Sequence, residues 1–255
     1  MSDSAVLFRQ EFRRAMASWP VRLLYVLAPI GLVWFIRPAF EYALASGSTA
    51  AAAEQTAVGQ ICLWGILSLV FLGYTVNDDL TNHVSERLRM TGVGWRPILG
   101  TKVLITFVGE VALGVGVYVL CAAVFGIDLS SDPVSRILLV TAFAFTVTML
   151  GWMLVALCPT SSAFTVAVYG AGLLLPASAG GLAPYPLLAG WAQSTGRILP
   201  SYWFFRAIDR VADGTSTPAD VLSHVGIIVL FGVGYATIGT LAFRPERRLR
   251  RGIGA

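Results

Sequence analysis

Long apolar runs alternate with short polar stretches along the whole chain. Six runs, near Val21–Phe40, Ala57–Val76, Val103–Ile127, Ile137–Leu157, Phe164–Ala183 and Val221–Phe243, approach the ~20 residues that cross a bilayer core as a helix. The pattern predicts an all-α integral membrane protein, a single transmembrane domain of six helices over 21–243. The second, fourth and sixth runs carry no formal charge. The first is the weakest. Its uncharged part, Leu23–Ile36, is short, so Arg22 and Arg37 must snorkel outward along their stems, and Pro29 is expected to kink the helix. The fifth contains Pro176 and Gly180–Gly181, which leaves a broken or re-entrant helix open.

Polar segments flank the spans. In residues 1–20, Phe8, Phe12, Met16 and Trp19 recur at helical spacing, with Arg9, Arg13 and Arg14 off that stripe and Pro20 after it. This pattern predicts an interfacial helix. Between spans two and three, Asn77-Asp78-Asp79 leads into Ser85–Lys102, SERLRMTGVGWRPILGTK, a compact basic stretch with apolar Leu88, Met90, Val93, Trp95, Ile98 and Leu99. Gly92 and Gly94 allow a break there, and Pro97 can start the next helical turn. The loop Glu41 to Thr56 is rich in Ala, Ser and Gly and is expected to be mobile. Ser131-Asp132-Pro133 reads as a helix cap. In the segment Pro184–Asp220, Ser201 is expected to cap a short helix with Phe204, Ile208 and Val211 on one face. Gly214 ends that helix, and Thr217-Pro218-Ala219-Asp220 starts the last span.

Composition supports the membrane class: 56% of residues are hydrophobic and 13% charged. Charge also orients the spans. With the N-terminus inside, cytoplasmic segments hold Arg9, Arg13, Arg14, Arg22, Arg87, Arg89, Arg96, Lys102, Arg244, Arg247, Arg248, Arg250 and Arg251, which is 13 of the 18 basic residues. Arg37, Arg136, Arg197, Arg206 and Arg210 fall outside. This positive-inside bias predicts that both termini, including the basic tail 244–255, lie in the cytoplasm. A positive charge sorted by membrane side is not a nucleic-acid footprint. No secretory signal peptide is apparent. The arginine-rich, lysine-poor usage fits a high-GC bacterium, so a bacterial cytoplasmic membrane is the expected location.

Catalytic chemistry is not visible. His83 and His224 are far apart and show no metalloprotease spacing, Ser178 lacks a nucleophile elbow, and Gly100-Thr101-Lys102 reverses the Walker order. Cys62, Cys121 and Cys158 stand at unrelated spacings and read as buried thiols rather than a disulfide or metal framework. No metal or other cofactor is expected on this chain. Glu110 is the notable ionisable group, about two turns into span three. A carboxylate there should be protonated, paired or facing a wet cavity, either as a transport-path residue or through a hydrogen bond to a neighbouring span. Small residues recur four apart, Ala112 with Gly116 and Gly232 with Ala236 and Thr240, and permit close helix packing.

The layout resembles the membrane subunits of type-2 ABC exporters, the drug, lipid and polysaccharide efflux permeases. In the segment after span two, Glu86, Arg87-Leu88, Thr91-Gly92, Ile98-Leu99, Gly100 and Lys102 match that family's order. Gly92 replaces the usual proline of its turn, and Thr101 separates Gly100 from Lys102. Ile198-Leu199-Pro200-Ser201-Tyr202-Trp203, followed by Phe205-Arg206-Ala207, resembles the family's segment before the last span. The resemblance implies a permease without its own ATPase. Two such permeases, identical or homologous, would join two ABC ATPase subunits that carry ATP and Mg. A cytoplasmic coupling helix between spans two and three would meet the ATPase, with Asp78, Asp79, Glu86, Arg87, Leu88, Arg89, Met90 and Trp95 as its coupling residues and a smaller contact from Pro159 to Ser162. The substrate path would follow the dimer interface.

Two other classes stand beside this reading. A self-contained secondary carrier or channel usually places several ionisable residues near the membrane midplane and shows inverted repeats. An intramembrane enzyme needs a constellation of acids, histidines or nucleophiles. The apolar spans favour an amphipathic, drug-like or lipidic substrate.

Overall fold

The apolar runs fold as helices throughout. The computed structural model describes residues 8, 9, 13, 19–44, 49–81, 95–129, 132–158 and 160–243. Helix α1 spans Trp19–Leu44, α2 Thr49–Ser68, α3 Val70–Thr81, α4 Trp95–Phe125 and α5 Pro133–Leu157. Then α6 spans Ser161–Ala179, α7 Gly190–Gly196, α8 Pro200–Ala212 and α9 Pro218–Ala242, with a 3-10 turn at Tyr185–Leu187. Six stretches are long and apolar enough to cross a bilayer, and the second is made by α2 and α3 together. Among the described residues there is no strand. Of the segment 1–20, Phe8, Arg9 and Arg13 are helical and exposed, and the rest of the expected interfacial helix lies outside the described residues, apart from Trp19 and Pro20 at the start of α1.

Span boundaries differ from the hydropathy pattern in instructive ways. Span two begins at Thr49 rather than Ala57, so the expected mobile loop Glu41 to Thr56 is largely helix. Alanine is the strongest helix former, and the run Ala50–Ala53 continues the span outward with Ala52 and Ala53 buried. The first span runs through both Pro29 and Pro38. The fifth continues through Pro176 and ends at Gly180, whose φ of 97° is the left-handed conformation glycine adopts freely. The helix is therefore neither broken nor re-entrant. Asp132 caps α5 by accepting from the Ser135 amide at 3.2 Å, with Pro133 in the first turn, and its bonds from Ser135 hold its carboxyl below the usual range. A Thr217–Asp220 capping box opens α9. Ser201 does not cap α8: Leu199 holds that place, and the Ser201 hydroxyl donates to the Leu175 carbonyl at 2.9 Å.

The bundle is built around the second span. Of its apolar stretch 72% is buried, against 17% for the first and last spans. Helix α2 packs on α1, α4, α6 and α8, while α5 and α9 pair along their length. Gly232 and Gly239 make that pairing close, because a Cβ on either would press into Phe145 or Trp152. Across the same seam the Thr146 hydroxyl donates to the Ile228 carbonyl at 2.7 Å. Ala112 is exposed and Gly116 faces open space, so that pair makes no close contact within the chain. Helix α8 lies beside the bundle with Phe204, Phe205, Ala207, Ile208 and Val211 buried, and Phe204 stacks on Phe143 of α5 at 4.3 Å. Trp34 and Phe35 on α1 and Leu230 and Leu241 on α9 are exposed, as side chains bathed in lipid tails are.

Candidate functional site

Polar side chains enter the bundle at three levels along the second span. At the α8 end, Glu54 of α2, Tyr118 of α4 and Arg136 of α5 converge. Arg136 Nε donates to Glu54 Oε1 at 3.1 Å and approaches the Tyr118 hydroxyl at 3.0 Å. Tyr118 also donates to Glu54 Oε1. All three are buried, so each charge has its partner in place, as burial requires. The next residue of α2, Gln55, donates to Asp209 Oδ1 of α8 at 3.4 Å. Asp209 lies outside the spans. Burial, outweighing the Gln55 hydrogen bond and joined by the nearby Asp213 and Glu54 charges, pushes its carboxyl up to about 6.

Midway, Glu110 is the central residue of α4, buried, and accepts a hydrogen bond from Ser68. Ser68 also donates to the Gly65 carbonyl at 3.0 Å, and the helix is interrupted at the next residue, Leu69. Across the interruption the Leu69 amide donates to the Ile66 carbonyl at 3.2 Å and the Gly73 amide donates to the Leu69 carbonyl at 3.1 Å. Gly65 leaves room for the carboxylate, since a Cβ there would stand 3.3 Å from Glu110 Oε2. A small pocket beside Glu110 is lined by Ile61, Gly114, Val140, Phe143, Ala144 and Val147. Further along α2, Gln60 is fully buried, and its Oε1 accepts from Trp64 at 3.2 Å.

At the opposite end, Lys102 Nζ of α4 meets Asp79 Oδ2 of α3 at 2.8 Å, with side-chain exposures of 2% and 3%. In the chain, the two residues of this pair lie on either side of 82–94. Glu86, Arg87, Leu88, Arg89 and Met90 lie outside the described residues, as does Pro159. Asp78 is in α3 and Trp95 opens α4, and the side chains of both lie outside the described residues. Among the coupling residues read from the sequence, Asp79 is therefore the one whose side chain is placed, and it faces Lys102.

Six spans, a charged stretch between the second and third, and a short amphipathic helix before the sixth invite comparison with known families. A family model described as ABC-2 family transporter protein matches residues 26–241. The chain belongs to the ABC-2 transporter family. Comparison with curated proteins and with solved structures found no match to either. An ABC-2 chain is a transmembrane subunit of an ABC transporter, a multi-pass membrane protein whose family associates with an ABC ATPase. The match begins inside α1 and ends inside α9, so it takes in all three polar levels.

Sequence reasoning missed the Glu54–Tyr118–Arg136 group. Its signal was present: a glutamate in an alanine-rich stretch and an arginine three residues past a proline cap. Hydropathy leaves both outside the spans, because the helices run on past their apolar cores.

Proposed function

We propose that this ABC-2 chain is the permease of an ATP-driven exporter that moves an amphipathic, drug-like or lipidic substrate outward from the cytoplasm. Two permeases, identical or homologous, associate with two ABC ATPase subunits, which bind ATP and Mg. The membrane is a bacterial cytoplasmic membrane with both termini inside. The family match over 26–241 carries this reading. The side on which 13 of 18 basic residues fall supports its orientation.

Coupling falls on the segment between α3 and α4. Leu88, Met90 and Trp95 supply apolar anchors, since apolar and aromatic side chains commonly dominate such contacts. Glu86, Arg87 and Arg89 set orientation by charge complementarity. Glu110 serves the transport path at mid-membrane, where its carboxylate borders a small, otherwise apolar pocket.

The test is reconstitution in proteoliposomes with the cognate ATPase, measuring association and ATP-dependent transport. Reversing charge at Glu86 and Arg89 together should weaken association or uncouple hydrolysis from transport while six spans still insert. Wild-type values for both would sink the docking role. Transport driven by an ion gradient with no ATPase present would favour a carrier instead.

A further inference from the structure

Asp79 precedes residues 82–94 in the chain and Lys102 follows them. Asp79 is in the last turn of α3 and Lys102 is two turns into α4. Their side chains are only 3% and 2% exposed, so neither offers a surface to a partner docking at this end. Val76, Ile98 and Leu99 nearby are buried as well. An ion pair in such surroundings adds little net stability, because desolvating two charges offsets most of their attraction. What it adds over an apolar contact is direction. A 2.8 Å charge-assisted bond fixes the register of one helix against the other, where apolar surfaces can slide.

The other end of α3 is set differently. The helix is interrupted at Leu69, and the residue before that break, Ser68, is hydrogen-bonded to Glu110. Helix α3 is thus a 12-residue piece with a break at one end and a fixed pair at the other. We propose that the Asp79–Lys102 pair is a positioning element that makes α3 and the head of α4 move as one body. A push on 82–94 then reaches the Leu69 break and Glu110 as a single displacement. This rests on the reading that 82–94 receives the ATPase, and it assigns Asp79 to force transmission rather than to ATPase contact.

The test uses the full permease, alone and reconstituted with its ATPase. Asp79→Asn and Lys102→Met each break the pair and should lower membrane abundance. The double variant leaves neither half of the pair behind, so abundance should recover to near wild type while transport per ATP hydrolysed falls about tenfold, the scale of a coupling energy between linked sites. Asp79→Glu keeps the charge and lengthens the arm, and should lower coupling severalfold at normal abundance. That variant decides the matter if the double fails to insert. Spin labels at Tyr74→Cys and Gly100→Cys, both exposed positions, with Cys62, Cys121 and Cys158 replaced by alanine, report the α3–α4 distance without any ATPase. The distribution should be narrow in the wild type and broad in the double variant. Wild-type coupling with a narrow distribution in both the double variant and Asp79→Glu would overturn the proposal. Absence of ATP-driven transport in the wild type would defeat the exporter reading instead, and the spin-label distances would still show whether the pair locks the helices.

Discussion

Glu110 sits at the centre of a 31-residue helix, where an ionised side chain is costly and is usually put to use. Glu110→Gln keeps an oxygen that can accept from Ser68, so helix packing should survive. We expect membrane abundance to stay near wild type and transport to drop severalfold. Lost abundance with unchanged transport per molecule would assign Glu110 to structure alone. Arg136 is tied to Glu54 and Tyr118, and removing one partner of a buried pair costs roughly 3–5 kcal/mol. Arg136→Met should therefore lower the unfolding temperature in detergent markedly, and Glu54→Gln with Arg136→Met should recover much of the loss. Equal destabilisation in the single and double variants would show that the two side chains do not act as a pair.

At the scale of elements, α8 carries a titration of its own. The Asp209 carboxyl is raised from 3.8 to about 6 in the folded protein, so the folded state binds the proton more tightly. Its favourable contribution is fully present below about pH 3.8, and is lost as pH rises through about 6. At about 1.4 kcal/mol per pH unit, docking of α8 should weaken by on the order of 3 kcal/mol across that window. Protection of α8 amides, measured against the intrinsic base-catalysed exchange rate at each pH, should be greater at pH 5 than at pH 7, and Asp209→Asn should remove the difference. Equal protection at the two pH values in the unmodified protein would rule this out. This effect could not be read from the sequence, because it arises from the burial of Asp209 where α8 covers α2, which outweighs the Gln55 hydrogen bond. The spans themselves were legible, since twenty apolar residues in a row leave the backbone little choice but a helix. Their ends were less so. Hydropathy weighs Thr49–Thr56 as polar, yet the alanines among them favour helix and Glu54 is neutralised by an arginine 82 residues away. The stretch between spans two and three was visible by its charge, whereas the burial of Asp79 against Lys102 depends on how α3 and α4 pack.

For the whole molecule, orientation is the quantity that charge predicts. Single cysteines at Ser48 and Ser216 should react with an impermeant maleimide added outside intact cells. One at Ser85 should react only after the membrane is opened. Labelling of Ser85 from outside would invert the topology, and with it the placement of 82–94 beside a cytoplasmic ATPase. Two members of the basic count, Lys102 and Arg136, are consumed in buried pairs. They lie at opposite ends of the bundle, so their removal leaves the asymmetry unchanged.

A side chain on Gly59 would collide with the Gly181 carbonyl, and one on Gly196 would collide with that of Ser178. Backbone therefore touches backbone at both margins of the stretch from 182 to 195. The ends of this excursion are held by the bundle whatever its interior contains. It can behave as an exchangeable cassette: chimaeras that swap 182–195 for a stretch of different length and sequence should insert and assemble normally, provided both bordering glycines stay. A natural history of the family would then show this stretch changing freely while its two margins do not, and an engineer wanting to display a tag on this permease has the place to put it.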